Sequence, residues 1–201
     1  KWANQSTHRF IVEDDYDSEF RFSGNPIPAL KGLDEYDKVI YMNSFSKSIS
    51  PGFRVSFMVL PNQLLKRYLD DFSYFSCSVP ISTQLTLEAF IESGQFEKHL
   101  NRMKIIYKHK RDILIDALNL AFSDKIEVKG DDAGLHFLIE IRTQQTEEAL
   151  VDLAKENEIR VYGLHEFYAT KVKRNQVPTL VFGYAHLSLE VLKKAVQRLK
   201  E

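Results

Sequence analysis

Cysteine is nearly absent: Cys77 is alone among 201 residues. No internal disulfide can form, which fits a reducing compartment. No charge of one sign dominates either. The 27 Lys and Arg stand against 28 Asp and Glu, a formal net charge of −1, without the basic excess that a nucleic-acid binder uses. Long apolar runs are missing, since the uncharged stretch Val55–Leu60 is far too short to cross a bilayer. Lys1–His8 lacks the apolar centre of a signal peptide, so a cytoplasmic protein with no membrane partner is expected. Only 8 glycines and 6 prolines are present beside 44% hydrophobic residues, which excludes a disordered or collagen-like chain. The composition is that of a soluble globular protein with one large or two small domains.

The chain opens abruptly. Lys1-Trp2-Ala3 reads as the last turn of a helix that begins earlier, so a piece of something longer is expected. Arg9–Glu13, Lys38–Asn43 and Arg54–Leu60 read as three buried strands, with Pro51-Gly52 turning the chain between the last two. Such strands predict a parallel or mixed sheet with both faces hidden by helices. Helical spacing takes over at Pro61, which suits a first helical position, and again after Pro80. Gly94 marks a helix end, and a long helix follows from about Gln95 to Phe122. Beyond Ser123 the elements are short: strands at Ile126–Val128, Leu135–Ile141, Ile159–Tyr162 and Thr179–Tyr184, with helices capped by Thr146 and Ser188. The expected division is a larger α/β domain over 1–122, with the long helix included, and a small α+β domain over 123–201.

The sharpest chemical signal is Ser44-Phe-Ser-Lys-Ser-Ile-Ser-Pro-Gly-Phe-Arg54, set between two strands. Lys47 in that turn suits Schiff-base formation with an aldehyde cofactor that carries a phosphate arm. Ser44 and Ser46 can donate to phosphate oxygens, and Arg54 can pair with them bidentately. A polar loop with a solvated Lys and a snorkelling Arg is the competing reading. The second signal is Glu13-Asp-Asp-Tyr-Asp-Ser-Glu-Phe20, at the end of a buried strand. Acids there are costly unless a cation meets them. Asp14 facing a pyridinium nitrogen would hold its proton, and Tyr16 would reach a phenolic oxygen. A solvated acidic loop and a Mg²⁺ or Ca²⁺ site are the alternatives, and the spacing is not that of an EF-hand.

Taken together these segments resemble fold-type I pyridoxal-phosphate proteins. Within that group they resemble the aminotransferase-like domain of MocR/GabR regulators, a branch of the GntR transcription factors. The likeness extends to Ala133-Gly-Leu-His-Phe137 and Leu180-Val-Phe-Gly-Tyr-Ala185. It implies a partial large domain of mixed or parallel sheet with helices, followed by a small α+β domain. It also implies pyridoxal 5′-phosphate as cofactor, with Lys47 as the Schiff-base lysine and Asp14 at the pyridine nitrogen. Tyr16 falls on the phenolic-oxygen contact, and Ser44, Ser46 and Arg54 surround the phosphate. The family further implies a homodimer, and DNA contact only through an N-terminal winged helix-turn-helix that this chain does not contain. In relatives that bind γ-aminobutyrate, an Arg near the Tyr162–Tyr168 segment grips the effector's carboxylate. Here that segment offers His165 and Glu166, so a different amino compound is expected, with Arg160 either a substitute clamp or, as a strand residue near a surface helix, simply structural.

The expected function is effector sensing through external aldimine formation at Lys47, in a domain that also oligomerises. The alternative is a turnover aminotransferase acting on an amino acid. His136 either approaches the cofactor cleft or is a core histidine. The basic run Arg102–Arg111 reads as a solvated helix face. His99, His186 and Cys77 lack metal-ligand spacing, so no metal is expected.

Overall fold

A computed structural model describes residues 1–15, 17–169 and 177–200. These residues fall into two compact units, one of Lys1–Glu19 with Asn25–Arg102, the other of Phe20–Gly24 with the chain from Met103 onward.

In the first unit β1 (Ile11–Asp14) runs parallel to β2 (Val39–Ser44), and β3 (Ser56–Val59) pairs antiparallel on the other side of β2. The sheet is therefore mixed. Its register sets Ile11 against Val39 and Asp14 against Met42, with Ser44 opposite Ser56 on β3. The hidden faces expected from the apolar strands are only partly hidden within this chain: on the face of Phe57, Val39 and Asn43 of β2 are 5% and 8% exposed, but the neighbouring strands stay open. Val12 is 60% and Met58 56% exposed on one face, and Phe57 is 42% exposed on the other.

A four-residue helix α1 (Phe45–Ser48) follows β2 at once. The helices α2 (Asn62–Phe72) and α3 (Ile81–Glu92) each start one residue after a proline. Pro61 and Pro80 thus occupy the cap rather than the first helical position, with extended ψ of 146° and 140°. Their carbonyls accept the first helical amides of Leu64, Leu65, Thr83 and Gln84. Gly94 takes φ +69°, a left-handed value open to glycine, and separates α3 from the long α4 (Gln95–Phe122).

The second unit is an antiparallel sheet in the order β4 (Ile126–Lys129), β5 (His136–Ile141), β7 (Thr179–Gly183), β6 (Tyr162–Gly163), with α5 (Glu147–Glu156) and α6 (Leu189–Lys200). Its core combines Leu114 and Leu118 of α4, Phe137 and Ile139 of β5, Tyr184, and Leu192 and Val196 of α6. Phe137 and Ile139 are two apart and so share a sheet face. Tyr184 donates its hydroxyl proton to the Gly134 carbonyl at 2.7 Å, which lets a phenol sit in the core.

Two elements depart from the expected pattern. The strand anticipated at 159–162 shrinks to Tyr162–Gly163. Glu158 turns left-handed at φ +59°, and the Ile159 amide still bonds back to Ala154, so the chain is finishing a helix where pairing was expected. Arg111 is not part of a solvated basic face: it is 8% exposed. Its guanidinium bonds Asp112 and the Asp131 carbonyl and lies over the Phe22 ring at 4.9 Å. Among the described residues no helix is long and apolar enough to cross a membrane.

Candidate functional site

Because β1 and β2 are parallel, their C-terminal ends emerge at one edge of the sheet, the place where open α/β sheets receive ligands. Asp14 is the last residue of β1 and is exposed. Its register partner is Met42, so Asp14 shares a sheet face with Ser44, two residues further along β2.

At Ser44 the strand becomes a turn that closes on itself. Ser44 Oγ accepts the Ser46 amide at 3.1 Å, and the Phe45 amide donates to the Val55 carbonyl at 2.9 Å. The Ile49 amide reaches the Phe45 carbonyl at 2.8 Å, and the Phe53 amide the Ser50 carbonyl at 3.0 Å. These bonds bring Arg54, one residue before Val55, back beside the Ser44–Lys47 segment. Arg54 adopts φ +49°, a left-handed conformation that costs an L-residue roughly 1–2 kcal/mol. The closed loop sustains that strain.

Which acids remain free is decided by the neighbours. Glu13 spends its carboxylate on the amides of Leu30 and Lys31, at 2.6 and 2.9 Å. Asp15 accepts the Tyr41 hydroxyl at 3.0 Å. Asn43, 8% exposed, donates to Tyr41 Oη at 3.0 Å and to Glu19 Oε1 at 3.4 Å, and its own Oδ1 accepts the Ser44 amide. Burial pushes the Glu19 carboxyl up, against hydrogen bonds from its own backbone and Asn43, with Asp15 and Asp17 adding like-charge repulsion. Among the described residues Asp14, Lys47 and Arg54 have no side-chain partner, whereas Glu13 and Asp15 beside Asp14 are consumed in the fold. An amine, a guanidinium, the Ser46 hydroxyl and a carboxylate are thus left for an outside ligand at one sheet edge, while the Ser44 hydroxyl donates to the Val55 carbonyl at 3.4 Å. That donor set suits an anion and a carbonyl carbon.

The Asp15–Tyr41–Asn43–Glu19 chain was not read from the sequence. The available signal was a tyrosine and an asparagine two apart in an otherwise apolar strand, hence on one face. Tyr16 lies outside the described residues.

In the second unit His165 and Glu166 are brought together and engaged. Glu147, in the first turn of α5, accepts His165 Nδ1 at 2.7 Å, the His165 amide at 3.0 Å and the Thr179 amide at 3.0 Å. Glu166 accepts the Gly163 amide at 2.9 Å. The knot needs glycine at 163, where a Cβ would come within 2.6 Å of His165 Nδ1. Arg160 lies over the Tyr162 ring at 5.1 Å. His136 opens β5, exposed and opposite Gly183, apart from these groups in the sheet register.

The profile of class I and II aminotransferases matches residues 5–199. The uncharacterised HTH-type transcriptional regulator YdeL of Bacillus subtilis is 37% identical over the whole of this chain, which spans 42% of that protein. The probable rhizopine catabolism regulatory protein MocR of Rhizobium meliloti is 29% identical over 95% of the chain and 38% of its own length. Among solved structures, LysN of Thermus thermophilus, an α-aminoadipate aminotransferase complexed with N-(5′-phosphopyridoxyl)-L-leucine, superposes with a TM-score of 0.81. It is 27% identical over 95% of this chain and 49% of that one. A multiple substrate aminotransferase of Thermococcus profundus gives 0.82, at 25% identity over 99% and 48%. The chain spans less than half the length of the curated relatives named here. It belongs to the class I and II aminotransferases.

Proposed function

We propose that this chain is the cofactor-holding, effector-binding part of a transcriptional regulator, and that it binds pyridoxal 5′-phosphate at Lys47. The observation that carries the reading is the set of unengaged groups at one sheet edge, Asp14, Lys47 and Arg54, in a chain similar along its whole length to HTH-type regulators. When bound, the cofactor supplies an aldehyde carbon and an electron-withdrawing ring. Lys47 Nζ, exposed at the turn, is the amine that reaches the aldehyde, and it does so in its neutral form. Asp14, fixed at the strand end, holds a proton on the ring nitrogen. The Ser46 hydroxyl and the Arg54 guanidinium take the phosphate oxygens, and Ser44 joins them by turning its hydroxyl away from the Val55 carbonyl. Tyr16 sits two residues beyond Asp14 in sequence and is assigned to the ring oxygen by family resemblance alone.

The effector is then an amino compound that competes with Lys47 for the aldehyde carbon. DNA is contacted by a separate winged helix-turn-helix, and the working unit is a homodimer. A turnover aminotransferase is the second reading. It is favoured by the likeness to LysN and by 26% identity to aromatic-amino-acid aminotransferase 1 of Thermococcus litoralis.

The test uses the full-length protein. Borohydride reduction in the presence of pyridoxal phosphate is expected to fix the cofactor to the peptide that contains Lys47, and Lys47→Ala to abolish both the visible band and the mass shift. A band and adduct that survive Lys47→Ala would overturn the assignment. Addition of amino compounds with an operator fragment separates the readings: a regulator changes DNA affinity without consuming the amine, and an enzyme releases the oxo product.

A further inference from the structure

The turn that carries Lys47 is gripped from α4. His99 Nε2 lies 2.9 Å from the Ser48 carbonyl oxygen, and Arg102 Nη2 lies 3.4 Å from His99 Nδ1. A carbonyl only accepts and a guanidinium only donates. The imidazole must therefore carry its proton on Nε2 and accept at Nδ1. One turn earlier on the same face of α4, Phe96 packs edge-on against Phe45 of α1, with ring centroids 5.8 Å apart. Phe90 of α3 closes the group against Phe96 and His99, both at 6.1 Å. Phe96 and His99 are three apart on α4, as Phe45 and Ser48 are on α1, so two i,i+3 pairs meet.

The consequence falls on Lys47. On its N-terminal side the Ser46 amide is held by Ser44 Oγ at 3.1 Å. On its C-terminal side the Ser48 carbonyl is held by His99, while Ser48 itself is 2% exposed and its hydroxyl is buried without a partner among the described residues. An α1 of four residues cannot stabilise itself. Its C-terminal carbonyl has to be satisfied from outside the helix.

We propose that His99 is a positioning residue for Lys47: through the Ser48 carbonyl it fixes the peptide next to the lysine and so the spot from which Nζ acts. This deepens the function proposed above and rests on it only for the identity of the aldehyde. Arg102 selects the tautomer that makes the bond.

Two substitutions separate the bond from the ring. His99→Gln keeps an N–H donor near the place of Nε2 and removes the ring. His99→Phe keeps the ring packing on Phe90 and removes the donor. In the cofactor-free full-length protein, amide hydrogen exchange at Ile49 and Phe53 is expected to quicken about three- to tenfold in His99→Phe, the effect of losing one hydrogen bond. His99→Gln should stay within about twofold of the native protein. Pyridoxal phosphate titrated into the same proteins, with borohydride trapping read by mass at Lys47, should show half-saturation raised by the same factor in His99→Phe and restored in His99→Gln.

Native exchange in His99→Phe, or equal losses in both variants, would overturn the latch. Faster exchange with unchanged trapping would leave His99 a support of the turn and overturn its role toward Lys47. If the native protein is never labelled at Lys47, the proposed function fails, and the exchange arm still decides whether His99 holds the turn. Should His99→Phe not fold, Arg102→Met takes its place, with a smaller change in the same direction in both readouts expected and native values in both overturning the proposal.

Discussion

Glu13, Asp14 and Asp15 are three consecutive acids with three different fates, and the strand pleat decides among them. Glu13 and Asp15 are drawn into hydrogen bonds with Leu30, Lys31 and Tyr41, while Asp14 keeps its carboxylate free on the face it shares with Ser44. Glu19 terminates the polar chain behind them. Its carboxyl is raised by burial, and Asp15 and Asp17 add to the shift. The folded protein therefore binds the Glu19 proton more tightly than the unfolded chain does. Its contribution to stability is complete below the ordinary glutamate value and is lost as pH rises through the raised value. Glu19→Gln removes that titration and keeps an oxygen for Asn43. The variant is expected to be more stable than the native protein at neutral pH, with the difference shrinking as the solution is acidified past the ordinary glutamate range. Urea midpoints of both proteins across that window check this. A variant less stable than the native protein at neutral pH, with an unchanged pH slope, would show that Glu19 is needed ionised.

The long helix α4 shows how an element divides its work by face. Leu118 is 1% exposed in the core of the second unit, and Leu120, two residues on, is 86% exposed. The same truncation should cost very different amounts. Leu118→Ala is expected to destabilise by about 2–5 kcal/mol, and Leu120→Ala to stay within about 0.5 kcal/mol of the native protein. Denaturant unfolding of the two variants decides it, and equal losses would mean that the helix is rotated. Helices of this kind were legible in the sequence because their information is local: apolar spacing ran unbroken from Gln95 to Phe122, and Gly94 marked the break before it. The turn from Ser44 to Arg54 was legible for the same reason, since its closing bonds join residues at most 11 apart. The strand at 159–162 was misread because hydrophobicity does not reveal a left-handed residue such as Glu158. Asn43 with Glu19, and His99 with Ser48, are 24 and 51 positions apart. Periodicity carries no information about such pairs, and only the sheet register and the return of α4 bring them into contact.

At the scale of the whole molecule, the first unit presents a run of exposed apolar side chains. Leu65, Tyr68, Leu69, Phe72 and Phe75, along α2 and just beyond it, are all between 41% and 61% exposed. Tyr68 stacks on Phe72 and Phe72 on Phe75, with centroids 6.1 and 6.2 Å apart, so the rings form one continuous ridge. Buried aromatic side chains hide about 150–250 Å² each. The half-exposed ridge therefore offers on the order of 400 Å², about half of the ~800 Å² per partner of a standard interface. Ile81 and Leu85 of α3, 73% and 57% exposed, extend the apolar surface of this unit. A second copy of the protein is the proposed occupant, in line with the homodimer proposed above. Full-length protein should sediment as a dimer. Leu69→Asp combined with Phe72→Asp should shift it to the monomer at micromolar concentration, because each buried unpaired carboxylate costs several kcal/mol. Leu120→Asp, on the exposed face of α4, serves as the control and should leave the dimer intact. If the double variant sediments with the native mass, the ridge is covered from within the same chain and the dimer is held elsewhere; if the control also dissociates, the loss reflects added charge rather than a lost contact.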